Sequence, residues 1–496
     1  MYQIRYTSPK EYDIYNLSEN RKIDLVHHGK LFDKDIFDTR EDGSVEIIRS
    51  VYREAKSLCG ILILQKNLLF GKKKRKYIYQ CIPDEKFLPS FLVPFETAPS
   101  FSKHYPNRFI RFRFDHWEGR HPSGILVETI GKTDALSAYV DYQLYANCLR
   151  FKVCSMKDFS YEKDFVCVQE FFTIDPIGCK DFDDGFSVDG DIISVLISNV
   201  PEILARNRIW EWNQAFTIYS PTGCRNMLPK LLSENICSLI ADGNLKSCIR
   251  LDIDMKSNVK TFHLCTGICK RNYVYEETTL LENKQYQILE NYAKGNDSTV
   301  HDSHDVVEFY MMLFNRIGAS LIDNGIYRST VENETNISFF KFRGEYTCDK
   351  KGHAILGEEA YGHFTSPIRR VVDIVNLICL EKRLRLCEFD IHADRFVEFW
   401  KNNLEEINRQ SRVLKILQSQ WFCLDLLVSQ GSSVKVEVVI LERSGESSYV
   451  VLLKEKSLVM RLETTEELCV NEIKSGMLYL LENETTFYKK VKLKLL

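Results

Sequence analysis

One stretch of the sequence combines strand-like apolar runs with a high density of acidic side chains. Residues 171–188 read FFTIDPIGCKDFDDGFSV and place four aspartates within ten positions, namely Asp175, Asp181, Asp183 and Asp184. Four carboxylates this close cannot all be buried and ionised without a cation, because mutual repulsion and desolvation would raise their pKa values. The stretch therefore restricts the fold to one that either binds cations here or exposes an acidic turn.

Three kinds of site compete for this cluster. A calcium loop of the EF-hand type fails, because placing Gly185 at its sixth position puts Lys180 and Phe182 at the first and third, where oxygen ligands are needed. A solvated acidic turn explains Asp-Asp-Gly but not Asp175, which ends an apolar run. A magnesium site fits, since Mg²⁺ takes a few carboxylates plus substrate phosphate, and two ions stabilise an in-line phosphoryl displacement. Spacing alone leaves the last two alternatives open.

A second stretch favours phosphate chemistry. Residues 361–380 read YGHFTSPIRRVVDIVNLICL and predict a turn at Thr365-Ser366-Pro367, followed by a helix from Ile368 with Ser366 as its cap. Arg369 and Arg370 in the first turn of that helix oppose the helix dipole. Their planar donor forks are better explained if they face phosphate groups.

Length and composition limit the kinds of protein that the chain can be. A chain of 496 residues predicts several domains, and 44% hydrophobic with 27% charged residues is ordinary for a soluble protein. No segment has membrane-spanning length, so we expect no membrane partner and a cytoplasmic or nuclear protein. The 16 cysteines, without a CxxC pair, indicate a reducing compartment. The net charge of −3 leaves room for local basic clusters such as Lys72–Lys76, whose simplest explanation is a solvated surface.

Periodicity divides the chain into β-rich ends and a mixed middle. Residues 108–114 alternate, with one apolar face and one face that carries arginines beside Phe109. That second face suits either single-stranded nucleic acid or salt bridges. Residues 302–322 and 396–421 each predict one amphipathic helix. After a short flexible break at 429–433, alternating strands predict a further small barrel.

Together, the two signature stretches resemble those of the RNB (ribonuclease II) exoribonuclease family. Further segments agree in the same order: ISNVPEIL, AFTIYSPTGCRNMLPKLLSENICSL, DSHDVVEFYMMLFN and EYTCDKKGHAILGEEAYGHF. Upstream, NRFIRFRFDHWEGRHPSGILVETIG resembles the second cold-shock barrel of the eukaryotic exosome-type members. The resemblance covers residues 70–425, and we expect no endonuclease domain within residues 1–68.

The resemblance implies a multidomain α+β fold. A mixed α/β RNB catalytic domain is expected between small OB-type (cold-shock-like) β-barrels. The expected domains are a cold-shock-like barrel at 1–68, a second cold-shock-like OB barrel at 69–150, the RNB catalytic domain at 151–428 and a C-terminal OB-type RNA-binding barrel at 429–496.

The resemblance also implies an activity and its residues. Family members hydrolyse single-stranded RNA processively from the 3′ end to nucleoside 5′-monophosphates, with two Mg²⁺ ions, for which Mn²⁺ can substitute. The matching metal and catalytic positions are Asp175, Asp181, Asp183 and Asp184, with Arg369 as catalytic arginine. The expected RNA contacts are Tyr219, Glu308, Arg369 and Arg370. Single-stranded RNA and an exosome-like or other RNA-decay complex are the expected partners.

Two segments, 275–308 and 308–369, are shorter than the resemblance leads us to expect. The first lacks the stretch that supplies a second aromatic ring against the terminal base. A trimmed channel leaves an alternative: an RNA-binding or assembly subunit with the RNB fold and weak or no nuclease activity. The retained acidic set favours catalysis, because a binding protein has no need to confine four carboxylates.

Overall fold

The structure is a computed structural model of the chain. It describes residues 1–8, 11–25, 29–64, 69–96, 105–149, 168–212, 214–332, 342–353, 357–431, 433–453, 458–480 and 491–496. Among these residues, no helix combines the length and the apolar character that crossing a membrane requires.

The N-terminal sheet is antiparallel and small. Its strands are β1 (Tyr2–Tyr6), β2 (Tyr12–Asn16), β3 (Arg21–Ile23), β4 (Ile36–Thr39) and β5 (Val45–Arg49), in the order β3-β2-β1-β4-β5. Ile4, Ile14, Leu31 and Phe37 are buried together as its core. A short helix, α1 (Val51–Glu54), leads to the next sheet.

The second sheet extends across the predicted boundary between residues 68 and 69. It contains β6 (Leu58–Leu62), β7 (Lys72–Lys73), β8 (Lys76–Pro83), β9 (Phe91–Phe95), β10 (Arg108–Phe114) and β11 (Gly124–Lys132), and helix α2 (Leu136–Ala146) covers it. The boundary cuts this sheet, because β6 pairs with both β8 and β10. The predicted boundary at 150/151 lies outside the described residues.

The arginine-bearing face of β10 is packed at Phe109 and Arg111, whereas Arg113 is exposed. The ring of Phe109 is 1% exposed and stacks on Tyr142 of α2 with 4.4 Å between ring centroids. Arg111 Nη1 lies 2.9 Å from Glu128 Oε2 on β11. Of the two alternatives for this strand, the salt-bridged one is therefore correct for these residues, and Phe109 is not available to stack on a base.

A closed five-stranded barrel forms the centre of the molecule. In chain order the elements are β12 (Val168–Asp175), β13 (Asp184–Asp189), β14 (Ile192–Ser198), α3 (Val200–Asn207), β15 (Ile218–Ser220), β16 (Gly223–Arg225), β17 (Leu245–Asp254) and β18 (Lys260–Val274). The barrel order is β12-β13-β14-β17-β18, and it closes by parallel pairing of β12 with β18. Phe171 contacts Gly185 and Gly267, where an added Cβ would come within 2.7 Å of its ring.

Helices and a two-stranded ribbon pack against this barrel. They are α4 (Thr278–Leu281), α5 (Lys284–Asn296), α6 (Ser303–Leu321), β19 (Tyr327–Glu332), β20 (Phe342–Thr347), α7 (Val371–Leu384), α8 (Ile391–Asn402) and α9 (Leu404–Gln430), with a π-helical turn at Leu232–Ile236. Tyr310 of α6 meets Phe186 of β13 at 5.7 Å between ring centroids, so this helix lies directly behind the aspartate-bearing strand.

The helix predicted at 302–322 is confirmed, and Asp302 caps it. The single helix predicted over 396–421 is wrong, because the chain breaks at Asn403 between α8 and α9. Helix α7 starts at Val371 rather than Ile368, and Ser366 does not cap it. Instead, the backbone N–H of Ser366 donates to Asp373 Oδ1 at 2.7 Å, which holds the preceding turn outside the helix.

The C-terminal sheet is joined to the centre by α9. Its strands are β21 (Ser433–Gly445), β22 (Ser448–Leu453), β23 (Leu458–Glu463), β24 (Ile473–Leu480) and β25 (Val491–Leu495), in the order β23-β22-β21-β24-β25. The predicted break at 429–433 is shorter than expected, since α9 continues to Gln430 and Gly431 turns the chain with φ +112°. The boundary at 428/429 therefore falls in the last turn of α9.

Candidate active site

The four aspartates lie at one end of the central barrel. Asp175 is the last residue of β12 and Asp184 the first residue of β13, so the chain leaves and re-enters the barrel at the same rim. Apolar side chains of both strands, including Phe172 and Phe186, fix them in the core behind the rim. Asp181 and Asp183 are carried by the short connection between the strands.

Asp183 ties this rim to the turn before α7. Its Oδ1 accepts a hydrogen bond from the backbone N–H of Ile368 at 2.8 Å. Its Oδ2 lies 3.0 Å from Arg369 Nε. The carbonyl of Arg369 in turn accepts a hydrogen bond from Thr217 N at 2.9 Å. Segments far apart in the sequence are thus fixed around one carboxylate.

Tyr219 brings a partly exposed ring to the same place. It lies on β15, is 40% exposed, and its hydroxyl donates to Asp181 Oδ2. The thiol of Cys179 lies 3.8 Å from both Asp175 Oδ1 and Asp181 Oδ1. Asp181 is therefore the aspartate nearest to the open side of the cluster.

Burial dominates the electrostatics of the cluster. It raises the pKa of Asp175 to about 6. It also raises the pKa of Asp183 to about 7, even though Arg369 and the Ile368 N–H favour the ionised form. The pKa of Asp184 is raised well above its ordinary value by burial and by the negative charges of Asp175 and Asp183. The positive charge near the cluster is therefore too small to compensate the buried carboxylates.

Unpartnered oxygens show where a cation fits. Asp175 Oδ2 and Asp184 Oδ2 are buried, and neither has a hydrogen-bond partner among the described residues. Buried carboxylate oxygens without partners are costly unless a cation compensates them, and hard divalent ions prefer oxygen ligands. The donor set therefore fits magnesium.

The cluster is wider than one compact ion site. Among the described residues, the group whose three ligand atoms all lie within 4.8 Å of one another is Asp302, His304 and Asp305, at the start of α6. Those side chains already cap that helix, since Asp302 Oδ1 accepts from Asp305 N at 2.9 Å. The wider spacing of the four aspartates suits ions that are shared with a substrate phosphate.

Two sequence-predicted RNA contacts are not gathered into the cluster. Arg370 makes a two-pronged contact with Asp373, with Nε–Oδ2 at 2.9 Å and Nη2–Oδ1 at 2.8 Å. Glu308 is exposed on α6, and in the described part of the chain no hydrogen bond or ion pair joins it to the aspartates. Their contacts with RNA stay predictions, whereas the other predicted residues are brought together.

Sequence reasoning missed Tyr275 as a site residue. It directly follows β18, and its backbone N–H donates to the carbonyl of Asp175 at 3.3 Å. Burial, followed by the charges of Asp184 and Asp175, raises the pKa of its phenol. Its ring lies 5.3 Å from that of His304. Only the closure of β18 onto β12 creates this neighbourhood, so no local pattern could reveal it.

Comparison with known sequences finds a family match for the central region of the chain. The RNB domain family matches residues 163–288. Ribonuclease R of Helicobacter pylori strain 26695 is 24% identical, over 41% of this chain and 47% of that protein. Ribonuclease R of strain J99 matches to the same extent. The chain thus spans about half the length of the curated relatives it matches.

Solved structures share the fold of the whole chain. Mycoplasma genitalium RNase R in complex with ribose-methylated single-stranded RNA superposes with a TM-score of 0.68 at 16% identity, covering 100% of both chains. The complex of the same enzyme with double-stranded RNA gives 0.66 at 16% identity, over 91% of this chain and 97% of that one. Yeast Ssd1, a pseudonuclease, gives 0.54 at 15% identity, over 88% and 69%. These likenesses confirm the expected fold class.

Proposed function

We propose, from the premise that the chain carries an RNB domain on an RNase R-like fold, that it is a magnesium-dependent 3′→5′ exoribonuclease. Its substrate is single-stranded RNA, which it shortens processively from the 3′ end, and its products are nucleoside 5′-monophosphates. The observation that carries the proposal is the buried aspartate cluster, with Arg369 held against it by Asp183 at 3.0 Å.

The four aspartates would hold the ions in this proposal. Asp175 and Asp184 each offer a buried oxygen without a hydrogen-bond partner, and Asp181 lies on the open side, where a phosphate would enter. Bound Mg²⁺, or Mn²⁺ in its place, would supply charge that activates water and neutralises the phosphate during in-line displacement. Placing these carboxylates on a barrel rim fixes their positions before substrate arrives.

Arg369 would bind the scissile phosphate. Its side chain is 45% exposed, yet its Nε is fixed by Asp183 and its backbone carbonyl by Thr217. Burial lowers the pKa of this guanidinium, but the charges of Asp183 and the neighbouring acids raise it overall, so the group stays cationic. A fixed cation beside the reacting phosphate stabilises the negative charge that develops in the transition state.

Tyr219 would stack against the 3′-terminal base. A half-exposed ring next to a phosphate site is what recognition of an unpaired base requires. Its hydrogen bond to Asp181 orients the ring and links base binding to the carboxylate nearest the entrance.

A second candidate function is an RNA-binding or assembly subunit with weak or no nuclease activity. The observation that favours it is the fold shared with a pseudonuclease, yeast Ssd1. The buried, unpartnered oxygens of Asp175 and Asp184 favour catalysis, since their burial costs free energy that RNA binding alone does not require.

Cleavage of end-labelled RNA separates the two candidates. Purified protein is incubated with 3′-labelled and 5′-labelled single-stranded RNA, with Mg²⁺ or with a chelator. We expect labelled mononucleotide to appear first from the 3′-labelled strand. From the 5′-labelled strand we expect a short final product to appear while full-length RNA remains, with few products of intermediate length. Asp184→Asn should abolish both, because it removes one buried ligand oxygen.

Asp189→Asn is the matched control, because Asp189 lies at the far end of the same strand and is exposed. Its activity should equal that of the wild type. RNA that is retarded on a gel but stays uncut with Mg²⁺ would contradict the nuclease and favour the binding subunit.

A further inference from the structure

One thiol lies among the four aspartates of the candidate active site. Cys179 belongs to the connection between β12 and β13, which also carries Asp181 and Asp183. Its Sγ lies 3.8 Å from Asp175 Oδ1 and 3.8 Å from Asp181 Oδ1. A thiol has a single proton, so it donates one weak hydrogen bond at a time. Hydrogen bonding therefore does not account for a sulfur that lies equally close to two carboxylates.

A backbone turn holds this sulfur in place. Gly178 has φ +82°, and the N–H of Cys179 donates to the carbonyl of Pro176 at 3.1 Å. These features define a type II β-turn over residues 176–179, in which glycine supplies the positive φ. The Cys179 side chain is half-buried, so the thiol is both positioned and accessible. An ion that enters the cluster therefore meets sulfur as well as carboxylate oxygen.

The separation of sulfur and oxygen suits a shared ion. In zinc sites the metal–sulfur distance is about 2.3 Å and the metal–carboxylate distance about 2.0–2.2 Å. With these lengths, a separation of 3.8 Å corresponds to an angle of about 120° at the metal, which is close to tetrahedral. Although all three are described, Asp175, Cys179 and Asp181 do not form one group with every ligand atom within 4.8 Å of the others. One ion therefore takes the thiol and one of the two carboxylates, and water completes its coordination.

Asp175 is the carboxylate better suited to share that ion. It is 9% exposed, and its Oδ2 is buried without a hydrogen-bond partner among the described residues. Asp181 differs, because its Oδ2 accepts a hydrogen bond from the hydroxyl of Tyr219. The negative charge of Asp175 is thus the less compensated of the two, and a cation beside it lowers the free-energy cost of its burial.

A sulfur ligand changes which ions the cluster prefers. Mg²⁺ is a hard ion that takes oxygen ligands, so the Cys179 thiol contributes little to binding it. Zn²⁺ and the softer Cd²⁺ bind thiolates strongly, and Zn²⁺ also accepts carboxylate oxygen. A coordinating thiol loses its proton, which passes to solvent as the metal–sulfur bond forms. The cluster thus offers soft divalent ions one bond that Mg²⁺ does not use.

We propose that Cys179 and Asp175 form a site for thiophilic divalent ions such as Zn²⁺, and that this site overlaps the magnesium site and competes with it. The competition rests on the proposed function, in which Asp175 binds Mg²⁺. The binding of the thiophilic ion itself requires neither RNA nor cleavage. Such an ion occupies a carboxylate that Mg²⁺ needs, so it inhibits the nuclease.

Cadmium binding tests the proposal without RNA. Cd²⁺ is the probe, because its bond to a thiolate gives a charge-transfer absorption band in the ultraviolet. The full chain, reduced and freed of metal, is titrated with Cd²⁺, in parallel with Cys179→Ser and Asp175→Asn. Contacts outside the coordination shell alone are worth about 10–100-fold in metal affinity, so each substitution should weaken this site at least about tenfold. Excess Mg²⁺ should suppress the Cys179 band of the wild type.

Cys469→Ser is the matched control for thiols elsewhere in the chain. Cys469 is exposed and lies before β24 in the C-terminal sheet. Its substitution should leave the Mg²⁺-sensitive part of the band unchanged. A Mg²⁺-sensitive band that persists in Cys179→Ser, or an equal loss in both serine variants, overturns the proposal. A band that needs Cys179 but responds neither to Asp175→Asn nor to Mg²⁺ reports an isolated thiol and overturns it as well.

Thermal unfolding guards against misfolding of the variant. Serine is close to cysteine in size and can donate the same hydrogen bond, so Cys179→Ser without metal should melt at the wild-type temperature. Cd²⁺ should raise the melting temperature of the wild type more than that of the variant, because an ion that binds the folded state stabilises it. An equal rise in both proteins contradicts a thiol ligand.

Cleavage assays connect this site to the proposed function. Zn²⁺ added to a reaction supported by Mg²⁺ should inhibit the wild type at a concentration at least about tenfold lower than it inhibits Cys179→Ser. A protein that binds Cd²⁺ through Cys179 and Asp175 but never cuts RNA supports the inference and refutes the nuclease. A protein that cuts RNA, while Cys179→Ser binds Cd²⁺ as tightly as the wild type, refutes the inference alone.

Discussion

At the scale of single residues, the aspartates of the cluster are not equivalent. Asp183 is paired inside the chain, by the Ile368 N–H and by Arg369. Asp175 and Asp184 each keep a buried oxygen without a partner. The Asp183 carboxylate therefore holds the segments of the site together. The buried oxygens of Asp175 and Asp184 make the site unfavourable when no cation is bound.

The raised pKa of Asp175 predicts a pH-dependent cost. A carboxyl whose pKa is about 6 when folded stabilises the fold at low pH, and this contribution is lost as the pH rises through 6. Without divalent ions, the free energy of unfolding of the wild type should fall by about 3 kcal/mol more than that of Asp175→Asn between pH 4 and pH 8. Urea unfolding at several pH values measures this.

Added Mg²⁺ at pH 8 should restore the stability of the wild type but not of the variant, since ion binding favours the folded state. Parallel pH curves for the two proteins would show that this carboxyl is already compensated in the fold.

Two substitutions of Tyr219 separate its ring from its hydroxyl. Tyr219→Ala removes a stacking surface worth about 1–3 kcal/mol, so the final RNA product should be one or more nucleotides longer. Tyr219→Phe loses only the hydrogen bond to Asp181 and should keep the wild-type product length. High-resolution gels of exhaustive digests measure both, and an unchanged product length with Ala would exclude stacking.

Sequence reasoning was most informative where the candidate site residues lie in short sequence motifs. The four aspartates, Arg369 and Tyr219 were placed together by their resemblance to family signatures, and the structure gathers them. The partner of Arg370 was missed, although the spacing of Arg370 and Asp373 in RRVVD is the three-residue spacing of neighbours on a helix. Tyr275 was beyond reach, because its position depends on strand pairing across the barrel.

At the scale of elements, the rim depends on the closure of the barrel. Phe171 fills the space left by Gly185 and Gly267, and this close approach lets β12 pair with β18. Asp175 ends β12, so any shift of that strand moves the carboxylate. Packing behind the rim therefore determines the geometry of the site.

Gly267→Ala tests this dependence. The new methyl group would meet the Phe171 ring within 2.7 Å, so overpacking should cost about 1–3 kcal/mol and reduce nuclease activity at temperatures where the variant is folded. Chemical denaturation and end-label assays measure the two effects.

Gly295→Ala is the control, since nothing lies within 4 Å of the added Cβ in helix α5. It should stabilise the protein by about 0.5–1 kcal/mol and leave cleavage unchanged. Equal effects of the two substitutions would refute the importance of the contact with Phe171.

Element ends were the part of the fold that periodicity could not define. Helix α6 was placed within a residue, because its capping residue and apolar face are both local. The break at Asn403 was missed, because apolar residues continue on both sides of it. Helix α7 begins three residues later than predicted, because the N–H of Ser366 donates to Asp373 and keeps the preceding turn outside the helix.

At the scale of the whole molecule, α9 connects three parts of the structure: the catalytic region, the second sheet and the C-terminal sheet. Its 27 residues extend about 40 Å. Gln410 accepts a hydrogen bond from Ala215 N at 2.9 Å, close to the strand of Tyr219. Trp421 is buried with the helix that covers the second sheet, and Leu427 lies in the C-terminal core. Helix α9 thus contacts the catalytic region, the second sheet and the C-terminal sheet along its length.

Trp421→Ala should therefore have an effect on the whole molecule. Truncating a fully buried tryptophan costs about 3–5 kcal/mol, and here the loss falls where the two sheets meet the helix. Thermal unfolding should shift down or separate into two transitions. Ile416→Ala, on the same helix but 57% exposed, should change stability by less than about 0.5 kcal/mol. A single unshifted transition for Trp421→Ala would show that α9 does not couple these parts.

The parallel pairing of β12 with β18 has a consequence for protein synthesis. The first barrel strand to leave the ribosome must wait for the last one before the barrel can close, and Arg369 emerges later still. On the proposed function, a chain still being translated therefore carries its acidic residues without the arginine that completes the site. The site can therefore form only after the segment that carries Arg369 has left the ribosome.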